Sequence, residues 1–319
     1  MELPLDHSPP ALADWLELEL LTTDRVTLSN SDVQARLSQE PDPTLSPQAS
    51  QGQEDDHWSA LTSDLWRELR HRSHAARTGY PFLVESENIA LRDEDWHQWK
   101  TYTFLAAVGA RLRYRFSVDV NDTARLFEYV VTSALRLYIS GSARRVGWPT
   151  ERHAPGFEER TRQLALELMS EPWGQLTGVS PAVKDHGLDV IAWRSFDDER
   201  PGQPILLCQC AIGTDFWEKK VDDQAWRMVI HFTVRPTPAI AFPVIPHLSD
   251  PQERSRWVGA SISGGLMFDR LRIAAFAGRH CVEDLESAAE FDVWLEDVLP
   301  RLAMAQPRGI GTTVAGRAA

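Results

Sequence analysis

The segment 187–220 reads GLDVIAWRSFDDERPGQPILLCQCAIGTDFWEKK. It sets one carboxylate, Asp189, at the head of a short apolar run, and one amide, Gln209, inside a second. A glutamine within ILLCQC needs a partner or a purpose, because an unpaired buried amide costs free energy. An acid and an amide oxygen at the ends of two neighbouring strands can hold a hard divalent cation, which takes oxygen ligands and keeps several waters. Such a cation would polarise a phosphodiester and lower the pKa of a bound water. A further acid, Glu128 in LFEYVV, lies upstream, and two cations, Lys219 and Lys220, follow the second run. Each has an ordinary alternative. Asp189 can be a strand-start residue, Gln209 an amide bonded to backbone, and the lysines a solvated pair.

Other chemistries find less support. Cys208 and Cys210 share a strand face and, with His280 and Cys281, offer four zinc-type ligands. Strand cysteines, however, usually serve as small buried apolar residues. A Cys210 nucleophile with His186 or His231 lacks any marked base or oxyanion donor. No glycine-rich phosphate loop is present.

The elements that must position these residues can be read from periodicity. VNDTARLFEYVVTSALRLYIS (120–140) is a helix with Phe127, Val130, Val131, Ala134, Leu135 and Tyr138 on its buried side. GSARRVGWP reads as a loop and 156–171 as an amphipathic helix. LDVIAW (188–193) and PILLCQCA (204–211) are buried strands, joined by the polar turn FDDERPGQ. FWEKK opens a helix, 239–246 is a third strand, 264–278 is apolar and of undecided type, and 283–303 is a closing helix. Upstream, 11–22, 28–39 and 58–77 read as three helices, followed by a hairpin over 80–92. The segment 41–57 is a flexible acidic insertion, 93–119 a helical linker, and 304–319 a disordered tail.

From residue 120 onward the order is helix, strand with Asp, strand with Gln, helix, strand. With Glu128, Asp189 and Gln209 placed on it, this order resembles the PD-(D/E)XK, or restriction-endonuclease-like, nuclease superfamily. The resemblance covers 120–303 and implies an α/β fold, a mixed sheet flanked by helices. It implies metal-dependent cleavage of nucleic-acid phosphodiester bonds, DNA before RNA, with Mg²⁺ or Mn²⁺ held by Glu128, Asp189 and Gln209. The family's lysine, two residues past the Gln position, is Ala211 here. Lys219 or Lys220 would then steady the attacking water or the transition-state charge. Residues 1–92 resemble a winged-helix domain, in which the third helix would contact nucleic acid through Arg67, Arg70, Arg72 and Arg77. Together the two resemblances imply an effector or subunit of a bacterial antiphage defence system with a protein partner. Loss of the lysine also admits an inactive nuclease fold that acts as a DNA-binding or adaptor subunit.

Charge qualifies the nucleic-acid expectation. The formal net charge is −13. Residues 1–60 hold twelve acids against two bases, and the remainder 34 against 31, so the acidity is mostly N-terminal. The rest of the chain could still form a local basic groove. No charged-then-apolar leader and no membrane-length apolar run is read, and three cysteines make no disulfide framework. A cytoplasmic location without membrane contact is expected.

Overall fold

A computed structural model describes residues 1–39, 51–93, 96–146, 157–168, 187–196, 198–279, 281 and 287–308. The N-terminal unit runs α1 (Pro9–Thr22), β1 (Thr27–Ser29), α2 (Asn30–Leu37), α3 (Gln51–Ala76), β2 (Phe82–Val84), β3 (Asn88–Leu91). Its strands form an antiparallel sheet in the order β1-β3-β2. Ser29 starts α2 with a reciprocal capping box: its hydroxyl accepts from the Asp32 N–H, and the Asp32 side chain accepts from the Ser29 N–H. Gln51 already belongs to α3, so the helix begins well inside the segment read as an insertion; residues 40–50 lie outside the described ones.

Next come α4 (Lys100–Ala110), β4 (Tyr114–Arg115), α5 (Val120–Ile139), β5 (Ser142–Arg145) and α6 (Phe157–Glu167). Then follow β6 (Val190–Trp193), β7 (Ile205–Cys210), α7 (Asp223–Val229), β8 (Thr237–Ala241), α8 (Pro251–Gly264), β9 (Leu266–Phe268), α9 (Arg270–Ala277), α10 (Ala288–Ala303) and β10 (Gln306–Pro307). Within the loop expected at GSARRVGWP, Ser142–Arg145 form the edge strand β5, while 147–149 lie outside the described residues, and 264–278 resolves into the end of α8, β9 and α9. Part of the expected tail, β10, pairs with β4.

The five-stranded sheet has the order β5-β6-β7-β8-β9. β6 runs antiparallel to both its neighbours, β5 and β7, and β8 and β9 run parallel to β7. β6 is buried along its whole length, which explains its uninterrupted apolar sequence. α5 crosses one face. Its Leu126, Phe127, Val130, Val131, Ala134 and Leu135 follow helical spacing into the core, and Asp119 caps it through the N–H groups of Asn121 and Asp122. On the other face Leu164 and Leu168 from the α6 segment and Trp226 and Val229 of α7 cover Ile191, Trp193, Ile205 and Leu207. The molecule is thus mixed α/β with helices on both faces of the sheet. Among the described residues no helix is long and apolar enough to cross a membrane.

One apolar core takes in residues from Leu3 to Ala305. α4, read as a linker from sequence, is its buried middle: Tyr102, Phe104, Leu105, Ala106, Ala107 and Val108 are all inside. α1 is buried around its circumference, acids included. A network of charges makes that possible. Arg72, on α3 and fully buried, donates from Nη1 to Asp14 Oδ1 at 2.8 Å and Glu17 Oε1 at 3.1 Å, and from Nε to Glu68 Oε1 at 2.8 Å. Arg270 of α9 pairs with Asp14, and Arg113 Nε reaches Asp14 Oδ2 at 3.1 Å. Tyr80 and Tyr102 donate their hydroxyls to the two Glu17 oxygens at 2.8 and 2.9 Å. Burial and the Glu17 charge hold both phenols far above their ordinary pKa, so they remain donors. Burial alone would raise the Asp14 pKa. The charges of Arg270, Arg72 and Arg113 outweigh it and hold the carboxyl well below the usual range.

Removing one partner of a buried pair strands the other charge, at a cost of about 3–5 kcal/mol. Arg72→Met is therefore expected to lower the unfolding free energy by that amount, read as a lower urea midpoint at unchanged slope, whereas Arg67→Ala, which removes an exposed partner of Asp64, should stay within about 0.5 kcal/mol. Because the native Asp14 pKa is depressed, its contribution is complete above an unfolded value of about 4 and is lost as pH falls below that value. The stability gap between wild type and Asp14→Asn should accordingly be constant from neutral pH to about 5 and shrink below about 4. Urea titrations at several pH values test this, and a constant gap down to acid pH would refute the assignment.

Candidate functional site

The acid and the amide meet at one end of the central strands. Val190 pairs with Cys208 across β6 and β7. Asp189, one residue earlier, therefore comes beside Gln209. The backbone fixes it there. Its N–H donates to the Cys208 carbonyl at 3.0 Å, its carbonyl accepts from the Val146 N–H at 2.7 Å, and its side-chain Oδ2 accepts from the Cys210 N–H at 2.7 Å.

Side chains alternate along β7. Leu206, Cys208 and Cys210 face the α5 core; Leu207 and Ala211 belong to the clusters on the opposite face. Gln209 falls on the face of Leu207 and Ala211. Its amide lies against Gly187, where an added Cβ would come within 3.2 Å of both Gln209 Nε2 and the Lys220 carbonyl. Gly187 also has φ +73, so glycine is required there by conformation and by space. Gln209 Oε1 is buried and has no hydrogen-bond partner among the described residues. An orphaned buried acceptor carries a penalty of about 1–3 kcal/mol, which a cation or an N–H donor would relieve.

Glu128 sits elsewhere. It is buried on α5, and its Oε2 accepts from Arg145 Nε of β5 at 2.5 Å. The Arg145 guanidinium lies over the Tyr129 ring at 5.3 Å. Arg145 is in register with Val190, so this pair belongs to the α5 face, opposite Gln209. The expected set of Glu128, Asp189 and Gln209 is accordingly split: Asp189 and Gln209 are neighbours, and Glu128 serves an ion pair across the sheet. Among the described residues no three His, Cys, Asp or Glu side chains gather closely enough to hold a metal ion.

Cys210 packs on the α5 face. Burial, the neighbouring Cys208 and then the charges of Asp189 and Glu128 push its thiol far above the ordinary range. It stays protonated, and both strand cysteines act as apolar filling rather than as thiolate ligands or nucleophiles. Asp185, His186 and His280 lie outside the described residues.

The two lysines do not open a helix. A 3-10 turn at Phe216–Glu218 gives way to extended backbone at Lys219, and α7 starts only at Asp223, capped by Asp222. The packing explains this: Phe216 stacks on Phe242 at 4.5 Å, which fixes the turn to the sheet. Lys219 Nζ pairs with Asp215 Oδ2 at 2.7 Å, and this hydrogen bond lowers the Asp215 pKa. Lys220 is exposed, with its carbonyl beside the Gln209 amide.

The four arginines divide as well. Arg72 is a correction: it is fully buried between Asp14, Glu17 and Glu68 and cannot meet a phosphate backbone. Arg67 is exposed and pairs with Asp64, Arg70 is exposed, and Arg77 lies in the turn that follows α3. Sequence reasoning missed Arg145 as the partner of Glu128. The signal was a pair of arginines in what proved to be an edge strand.

If the Glu128–Arg145 pair is structural, Glu128→Gln should lower the unfolding free energy by about 3 kcal/mol. A loss under about 0.5 kcal/mol in chemical denaturation would show that the glutamate is held for another purpose.

No family model matches this chain, and no curated protein or solved structure matches it.

Proposed function

We propose that this chain is a metal-dependent nuclease with a restriction-endonuclease-like C-terminal unit and a winged-helix-like N-terminal unit. The single observation that carries the proposal is the buried Gln209 Oε1, without a partner among the described residues, beside Asp189 at the end of the two central strands. The element order supports it: α5, then, after β5 and α6, the strand that Asp189 heads, then the strand with Gln209, then α7 and β8. The order α1-β1-α2-α3-β2-β3 with its three-stranded sheet supports the N-terminal reading.

The donor set suits Mg²⁺ or Mn²⁺. Asp189 supplies a carboxylate and Gln209 a neutral oxygen, both hard ligands, and such ions bind through few protein groups and keep their waters. Bound there, the ion would polarise a phosphodiester and acidify a water. Glu128 has no part in this set. The Cys210 N–H orients the Asp189 carboxylate, and Gly187 leaves the Gln209 amide its room. Lys219 is engaged by Asp215, which leaves the exposed Lys220, whose backbone carbonyl lies against Gly187, as the lysine to act on a phosphate.

A second reading has its own observation. Ala211 is buried where the superfamily carries its lysine, which favours an inactive scaffold that binds DNA or an adaptor partner.

Cleavage of plasmid and short duplexes, together with thermal melting, separates the two. Under the nuclease reading, wild type cleaves with Mg²⁺ or Mn²⁺ and not with EDTA. Mn²⁺ raises its melting temperature, and Asp189→Ala abolishes both effects. Gln209→Glu, which adds a carboxylate, should lower the metal concentration needed for half-maximal cleavage. No cleavage and no Mn²⁺-dependent shift in wild type would leave the scaffold reading.

A further inference from the structure

A cleft of about 520 Å³ opens beside the N-terminal unit, lined by Arg77, Thr78, Arg92, Trp99 and Arg279. Three guanidinium groups reach it from three places: the turn after α3, the residue after β3, and the segment after α9. Asp93 offsets the Arg279 charge, and the guanidinium groups of Arg77 and Arg92 repel each other in the same hollow until a further anion occupies it. In a chain of net charge −13 the cleft lining itself holds three arginines and no acid.

The fold holds these groups in place. The Arg279 guanidinium lies over Trp99 at 4.7 Å, donates from Nε to the Gln98 carbonyl at 3.1 Å and from Nη2 to Gln98 Oε1 at 3.0 Å, and pairs with Asp93 at 2.8 Å. Arg92 is anchored by one bond, from Nε to the Tyr80 carbonyl at 3.1 Å. Arg77 is exposed, and its side chain makes no hydrogen bond or ion pair among the described residues. Its backbone is left-handed, φ +52, a conformation that costs a non-glycine residue about 1 kcal/mol. Tight packing accompanies the strain: two residues on, a Cβ at Gly79 would sit 2.0 Å from the Ala274 carbonyl oxygen of α9. Strain maintained by packing at a ligand-facing residue is a mark of a functional position.

We infer that this cleft binds the phosphodiester backbone of nucleic acid, with Arg77 and Arg92 on the phosphates and the Trp99–Arg279 stack as the wall. The inference rests on the nucleic-acid part of the proposed function and not on hydrolysis. Guanidinium forks match phosphate oxygens in geometry and charge. The cleft is flanked by the end of α3 and the end of β3, the two elements a helix-and-wing unit presents to a duplex. Trp99 is buried and cannot stack on a base, so the cleft reads backbone and not sequence. The contact surface thus shifts from the outer face of α3, where Arg67 and Arg70 lie, to its C-terminal end.

The test is fluorescence anisotropy of short labelled duplexes with the full chain in EDTA, where cleavage cannot interfere. Arg77→Gln/Arg92→Gln is expected to weaken binding about tenfold or more for duplexes of unrelated sequence, and to reduce the slope of log affinity against log salt by about 2. Arg67→Gln/Arg70→Gln should leave both values unchanged. Melting temperatures of the variants establish that they are folded, and Arg92→Lys, which keeps the charge, should recover part of the affinity. Unchanged affinity and slope in the cleft variant, an equal loss in the α3 variant, or no duplex binding by wild type would each overturn the inference. Intact cleft-dependent binding without cleavage in Mg²⁺ would remove hydrolysis alone and leave the cleft standing.

Discussion

The ion network around Asp14 and Glu17 is the constraint on which the rest of the structure depends. α1 occupies the interior with three acidic side chains. Unpaired, any one of them would cost several kcal/mol. Arg72, Arg113 and Arg270 neutralise Asp14 and Glu17 from α3, from the segment after α4, and from α9, and Tyr80 and Tyr102 fill the remaining oxygen positions of Glu17. Glu19 is satisfied separately by the Met1 ammonium and Arg36. The charges fix register as well as compensating burial: a helix carrying several acids can dock in only one rotation if each acid must meet its base. The N-terminal unit is thereby locked to the helices that cover the sheet.

This locking positions both regions of interest. α9 carries Arg270 into the network, abuts Gly79 at the turn where Arg77 takes its left-handed backbone, and leads directly into Arg279. The arginine cleft is therefore made jointly by the N-terminal unit and α9. On the opposite side of its core α5 packs against α9 and against β5, β6 and β7, and these strands bring Asp189 beside Gln209. The two regions thus share close-packed neighbours, and neither can move without disturbing them.

The distribution of charge takes on a different meaning in three dimensions. By count, the first sixty residues are an acidic region. In space Asp14, Glu17 and Glu19 face inward and are matched by buried or half-buried bases, so they contribute little to the outer field. Net charge is a sum over the chain, whereas a ligand meets only the surface potential.

The local signals in the sequence were sufficient for most elements. Helical spacing placed α1, α2 and α5, apolar runs bounded by turn residues placed β6 and β7, and the three-helix-plus-hairpin order was legible because each piece is specified by neighbours in sequence. The juxtaposition of Asp189 and Gln209 could be anticipated because adjacent antiparallel strands joined by a polar turn must pair. What tertiary structure alone decided were the matters that depend on partners distant in sequence. SARR became a strand because β6 offered an edge to pair with. The helix expected at FWEKK yielded to Phe216 packing on Phe242. Glu128 turned to Arg145, and Arg72 turned inward to Asp14 and Glu17. Residue type and spacing report which groups are available for chemistry, but whether an arginine faces solvent or a carboxylate is settled by which long-range contact satisfies its charge at the lower desolvation cost.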